Sequence, residues 1–164
     1  MANGFAQKGV DYGETFSHTA KWPTIETLFA LAAQNGWEVH QMHVKTTFFN
    51  GDLKENVFMS QPEGFVVKEQ EQKVCKLIKS LYSLKQARRA WYEKLTKHLL
   101  KLNFKYFNLD YATLFVKKVG KNVVYLMVYV DDMLMTGSNE NYISSTKKQL
   151  KKGFEMIDLG NLHY

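Results

Sequence analysis

Val123-Val124-Tyr125-Leu126-Met127-Val128-Tyr129-Val130-Asp131-Asp132-Met133-Leu134-Met135 is the stretch whose reading decides the fold. Its first eight residues form an unbroken apolar run rich in β-branched and aromatic side chains. That run predicts a buried strand, and Met133-Leu134-Met135 predicts its return. Asp131 and Asp132 then fall at the tip of a hairpin. Two anions held side by side repel, and a cation between them relieves the repulsion. A carboxylate pair on a rigid turn is also what two-metal phosphoryl-transfer chemistry requires. The competing reading is an ordinary polar turn, because Asp favours turns on its own account.

Outward from the hairpin, helices and strands alternate. Pro23-Thr24 opens a helix in which Ile25, Leu28, Phe29 and Ala32 share one face, and Asn35-Gly36 stops it. Residues 37–44 read as a strand ending near His43. Asn50-Gly51-Asp52 and Gln61-Pro62-Glu63-Gly64 read as loops, residues 69–73 as a solvated charged stretch, and residues 74–78 as a short strand. Over residues 84–103, Leu84, Ala87, Trp91, Leu95, Leu99 and Leu102 keep a helical stripe. The other face carries Lys85, Arg88, Arg89, Lys94, Lys97 and Lys101. Residues 112–117 read as a strand joined to the hairpin around Val119-Gly120-Lys121-Asn122. Gly137-Ser138-Asn139 caps a helix over residues 140–152 with Ile143, Leu150 and Tyr142 inward, Gly153 ends it, and residues 154–157 close with a strand. The order β–α–β–β–α–β predicts an α+β fold: a ferredoxin-like split βαβ sheet with helices on one face.

Composition narrows the function classes. A chain of 164 residues with 45% hydrophobic and 23% charged residues is globular and long enough for one domain with a sizeable core. A net charge of +6 points to a polyanionic partner. The single Cys75 forms no internal disulfide and fits a reducing compartment. Met1-Ala2-Asn3-Gly4-Phe5 lacks the pattern of a signal peptide, and the run at 123–130 is too short to span a bilayer. The expectation is an intracellular protein, cytoplasmic or nuclear, with no membrane partner. No histidine has a Ser or Cys partner recognisable as a nucleophile pair, so hydrolase chemistry has no support.

Several longer motifs carry a family resemblance. They are Asp11-Tyr12-Gly13-Glu14-Thr15-Phe16-Ser17, Gln41-Met42-His43-Val44-Lys45-Thr46 and Phe49-Asn50-Gly51. Gln61-Pro62-Glu63-Gly64-Phe65, Lys79-Ser80-Leu81-Tyr82-Ser83-Leu84-Lys85-Gln86-Ala87, Trp91-Tyr92 and Tyr129-Val130-Asp131-Asp132 follow in order. Together they resemble the reverse transcriptase of copia-type retrotransposons over nearly the whole length. The resemblance implies a polymerase palm with part of the fingers across residues 1–164, with the thumb and RNase H absent. The implied reaction is RNA-directed DNA synthesis on a template-primer from deoxynucleoside triphosphates, with magnesium (Mg2+) as cofactor. Missing flanking parts imply self-association through truncated sheet edges.

The same resemblance assigns residues. Asp131 and Asp132 are the hairpin acids, and His43 stands where the family's strand-end Asp helps hold two magnesium ions. Imidazole suits zinc, copper or iron better than magnesium and cannot bridge two ions through two oxygens. Loss of such a ligand is expected to cost about 4–6 kcal/mol of barrier, a thousandfold or worse in rate, so the chain reads as inactive. The other possibility is that His43, Asp131 and Asp132 hold zinc or manganese. Phe48 matches the aromatic that lies against the sugar of the incoming nucleotide, or else packs in a core. Lys45 and Lys85 match phosphate contacts, or else are solvated. Arg88, Arg89, Lys94, Lys97 and Lys101 track nucleic-acid backbone, or else form a charged outer face, and Tyr129 packs near the primer end. Ser83 stands where the family has Gly, a position that permits close backbone approach or positive φ. Arg88 and His18 stand where it has Pro. The alternative to an impaired enzyme is a non-catalytic nucleic-acid-binding remnant.

Overall fold

The computed structural model describes residues 18, 20–107 and 112–162. The motif at Asp11–Ser17 and His163 lie outside the described residues. The fold is α+β. Helix α1 (Trp22–Asn35) is followed by β1 (Val39–Val44), a 3-10 turn (Thr47–Asn50), β2 (Phe58–Ser60), β3 (Val74–Lys76) and α2 (Ala87–Lys101). Then come β4 (Lys105–Tyr106), β5 (Leu114–Val119), β6 (Asn122–Tyr129), β7 (Asp132–Gly137), α3 (Glu140–Gly153) and β8 (Met156–Asn161).

The chain divides into two compact units, and the larger holds residues 18–47 and 95–164. Its centre is a six-stranded antiparallel sheet in the order β4-β5-β6-β7-β1-β8. β6 and β7 pair from Val124↔Gly137 to Tyr129↔Asp132, so only Val130 and Asp131 form the turn. β1 lies between β7 and β8, and His43 is paired across to Asp132. Strand pleating sets the two faces. On one, Val39, Leu114 and Met127 pack on Leu28 and Ala32 of α1. On the other, His40 meets Glu140 of α3, and Gly137 lies under Ile143. The two helices within the β–α–β–β–α–β order therefore share one face, and α1, which precedes that order, lies on the other. α3 shares its face with the second half of α2, whose His98 ring stands 5.0 Å from that of Phe154, while α1 covers the opposite face. The apolar stripe of a helix does not say which side of a two-sided sheet it will cover.

Capping explains where element ends depart from the sequence reading. Gly36 (φ 65) closes α1, and the N–H of Trp37 still donates to the carbonyl of Ala32 at 2.9 Å, so β1 starts two residues late. Asn103 (φ 64) closes α2, with the Phe104 N–H reaching the Leu99 carbonyl at 3.0 Å. At its other end α2 begins only at Ala87, after Ser83 has taken φ 79. Phe154 still donates to Leu150, which delays β8 to Met156. Asn139 caps α3 by accepting from the Asn141 N–H at 2.9 Å. Strands β2 and β4 are too short to show in a sequence period.

The smaller unit includes residues 48–94. It carries the β2–β3 ladder and a core of Val57, Leu84 and Ala87, with Phe48, Leu53, Leu77 and Leu81 against it. Gly51 is fixed here by close approach: a Cβ would stand 2.9 Å from the backbone nitrogen of Trp91.

Candidate functional site

The site grows from the end of β1 and the tip of the β6–β7 hairpin. Alternation along β1 puts Gln41 and His43 on one face, and register then places them beside Asp132. His43 Nδ1 lies 3.2 Å from Asp132 Oδ1, and Gln41 Nε2 donates to the same oxygen at 3.3 Å. Asp131 joins them: one ligand atom from each of His43, Asp131 and Asp132 falls within a 4.8 Å span. The His43 and Asp132 side chains are about one-third exposed (36% and 37%), so solutes can reach them. The turn is anchored by the Val44 N–H, which donates to the Asp131 carbonyl at 2.8 Å. Val130 is held at φ 56, a left-handed conformation in which a β-branched residue is strained. Tyr129 stands half-exposed at the end of β6 opposite Asp132.

Magnesium as an ion pair fits this donor set poorly. Among the described residues the cluster holds two carboxylates, and one oxygen of Asp132 already accepts from Gln41 and faces an imidazole. A single ion that accepts nitrogen as well as oxygen suits the three ligands better.

Lys45 extends past β1 and pairs with Glu155 at 2.7 Å in the open. In the smaller unit, Phe48, Ser83, Leu84, Lys85, Ala87 and Arg88 line an open cavity of ≈460 Å³. The structure thus brings together Phe48, Ser83 and Lys85, which the resemblance grouped around a nucleotide. Phe48 also packs edge-on against Tyr82, with ring centroids 4.7 Å apart. Ser83 adopts φ 79, the positive value anticipated for a family glycine position. Arg89 is largely buried and pairs with Glu55 and, at 3.2 Å, with Glu93. Lys94 bonds Asp52 at 2.6 Å. Lys79 and Lys94, both hydrogen-bonded to the Asp52 carboxylate, hold its pKa down at about 2.

Two features escaped sequence reasoning. Gln41 bonds Asp132 although 91 positions separate them, and no local pattern marks such a contact. A second cluster, Glu38, His40 and Glu140, forms on the opposite face. There His40 Nε2 meets Glu140 Oε1 at 3.2 Å, Nδ1 faces Lys147 Nζ at 3.3 Å, and Lys147 bonds Asp158 at 2.9 Å. An ammonium on Nδ1 fixes the tautomer, leaving the Nε2 proton for Glu140 and no lone pair for a metal.

Comparison with known proteins places the chain in a family. The family described as reverse transcriptase (RNA-dependent DNA polymerase) matches residues 1–164. The chain is 42% identical over its full length to a retrovirus-related Pol polyprotein from transposon RE1 of Arabidopsis thaliana, and spans 11% of that polyprotein. It is 43% identical, over 98% of its length, to the Pol polyprotein from transposon TNT 1-94 of Nicotiana tabacum, and spans 12% of it. A putative transposon Ty5-1 protein of Saccharomyces cerevisiae is 31% identical over 74% of the chain and 39% of its own length. No solved structure matches significantly. No described helix is long and apolar enough to cross a membrane. On the strength of the full-length family match and these relatives, the chain belongs to the reverse transcriptase family, in the form carried by the Pol polyproteins of copia-type retrotransposons.

Proposed function

We propose that the larger unit is a polymerase palm whose strand-end metal ligand has become His43, leaving a template-directed nucleotidyl-transfer site impaired in chemistry. The palm reading is supported by strand order. β1, α2, β6, β7, α3 and β8 form a β–α–β–β–α–β path whose strands lie side by side as β6-β7-β1-β8, the split βαβ arrangement. The observation that carries the site is the meeting of His43, Asp131 and Asp132 within 4.8 Å. Divalent cations here would supply charge neutralisation at a transferring phosphoryl group, and this donor set is built for fewer of them.

The ≈460 Å³ cavity is the proposed seat of the deoxynucleoside triphosphate, with Phe48 against the sugar and Lys85 and Arg88 toward phosphates. Smaller-unit residues 48–94 would then belong to the fingers. Template-primer contacts fall to Tyr129 and Arg88. Arg89 and Lys94 are drawn away from them by Glu55, Glu93 and Asp52.

The test is primer extension by this chain and by His43→Asp, each with magnesium. Extension by the Asp variant, with the unmodified chain about a thousandfold slower or silent, is the expected result. Equal measurable rates in the two proteins would refute a defect located at position 43, whereas silence of both would place a further defect elsewhere.

A further inference from the structure

On the sheet face opposite His43, α2, β5 and α3 surround a hollow of ≈440 Å³. Three lysines reach it from three different elements: Lys101 from α2, Lys117 from β5 and Lys152 from α3. Among the described residues, none of these ammonium groups has a carboxylate within 4.0 Å, whereas Lys45 and Lys147 in the same unit are each paired. Lys117 is the telling one. It is half-buried, donates to Gln149 Oε1 at 3.1 Å, and stands 5.6 Å from the centre of the Phe104 ring. Burial without an anion holds its pKa below the ordinary lysine value. A partly desolvated cation with no counter-charge costs folding stability, and so do three like charges facing one cavity. All three line this one hollow, together with Asn103 and Gln149.

We propose that this hollow is a phosphate-binding site, occupied by a backbone phosphate of a nucleic-acid strand running over the α2–α3 side of the sheet. A tetrahedral oxyanion takes several donors from several directions, which three ammonium groups on three elements provide. The site is independent of the carboxylate cluster, because it lies on the other side of the sheet.

The test combines stability with binding in the full-length chain. Lys117→Met keeps the aliphatic stem over Phe104 and removes the buried charge, so its melting temperature should rise. The same variant should bind a single-stranded oligonucleotide more weakly. Its log K against log salt slope should be shallower by about 0.7, the share of one released counterion per phosphate contact. Lys101→Gln and Lys152→Gln, both at exposed positions, should each lower the slope similarly with little change in melting. NMR titrations of the unmodified chain separate the sources of the phosphate. An oligonucleotide that shifts the Lys117 and Gln149 resonances, with inorganic phosphate at equal phosphate concentration shifting them far less, is the expected pattern. If Lys117→Met is more stable yet binds with an unchanged slope, or if the oligonucleotide leaves those resonances still, the hollow is not a phosphate site.

Discussion

At the scale of single residues, backbone conformation and ligand chemistry make the sharpest demands. Ser83 at φ 79 and Val130 at φ 56 occupy left-handed space that glycine enters freely and other L-residues enter at a cost of roughly 1–2 kcal/mol. Ser83→Gly should therefore stabilise the fold by about 0.5–1 kcal/mol after the entropy of the unfolded glycine is counted, and Ser83→Ala should not. Urea melts of the three proteins decide it. The cluster of His43, Asp131 and Asp132, proposed above as a metal site, makes a second demand. Zinc at about 100 times its dissociation constant should raise stability by about 2.7 kcal/mol, and His43→Ala should abolish the gain. A melting curve indifferent to zinc would remove the transition-metal reading. Gln41→Ala frees one Asp132 oxygen from its amide donor, and weaker zinc retention by that variant would show that the bond orients the ligand.

Elements are positioned by close approaches as much as by apolar stripes. The stripe Leu84–Leu102 identifies α2, but only the packed structure shows why Gly51 sits opposite it. A methyl at position 51 would press on Ser80 Oγ at 2.8 Å and on Ala90 and Trp91 at 2.9 Å. Because one of those atoms is helix backbone, it cannot swing away. Gly51→Ala is expected to destabilise the smaller unit by about 1–3 kcal/mol, measured as a loss of hydrogen-exchange protection along α2. The Asn50-Gly51-Asp52 turn was legible as a turn; the contact that makes its glycine irreplaceable was not. The α3 cap at Asn139 and the αL stop at Gly36 were readable in full, since both act within four residues.

For the whole molecule, the distribution of charge matters more than its sum of +6. Asp52 holds Lys79 and Lys94, and Asp158 holds Lys147, while the described residues lining the hollow at Lys117 include cations and no acid. The paired acids make stability depend on pH at the acid end. Asp52 has its folded pKa lowered from 3.8 to about 2. Its contribution is thus fully present above pH about 4 and is lost as pH falls toward about 2. For Asp158, burial opposes the shift, but the Lys147 ammonium and the Gly160 N–H outweigh it, so its contribution has the same sign. Asp52→Asn should flatten the fall in urea-unfolding free energy between pH 4 and pH 2. The effect will be small, because the carboxylate is more than half exposed and screened by water. An unchanged slope would mean that the pair contributes nothing.

The sequence by itself determined the family, the order and type of the long elements, the hairpin and the identity of its acids. Each of these is written in contiguous residues or in a period of two or 3.6. Only tertiary structure decided that α1 and α3 take opposite sheet faces, that Gln41 and His43 converge on one Asp132 oxygen, and that Arg89 and Lys94 are neutralised inside their own unit. It alone also collected three lysines from positions 101, 117 and 152 around one hollow. Such meetings depend on strand register and helix packing between distant segments, and a local pattern of side chains carries no record of either.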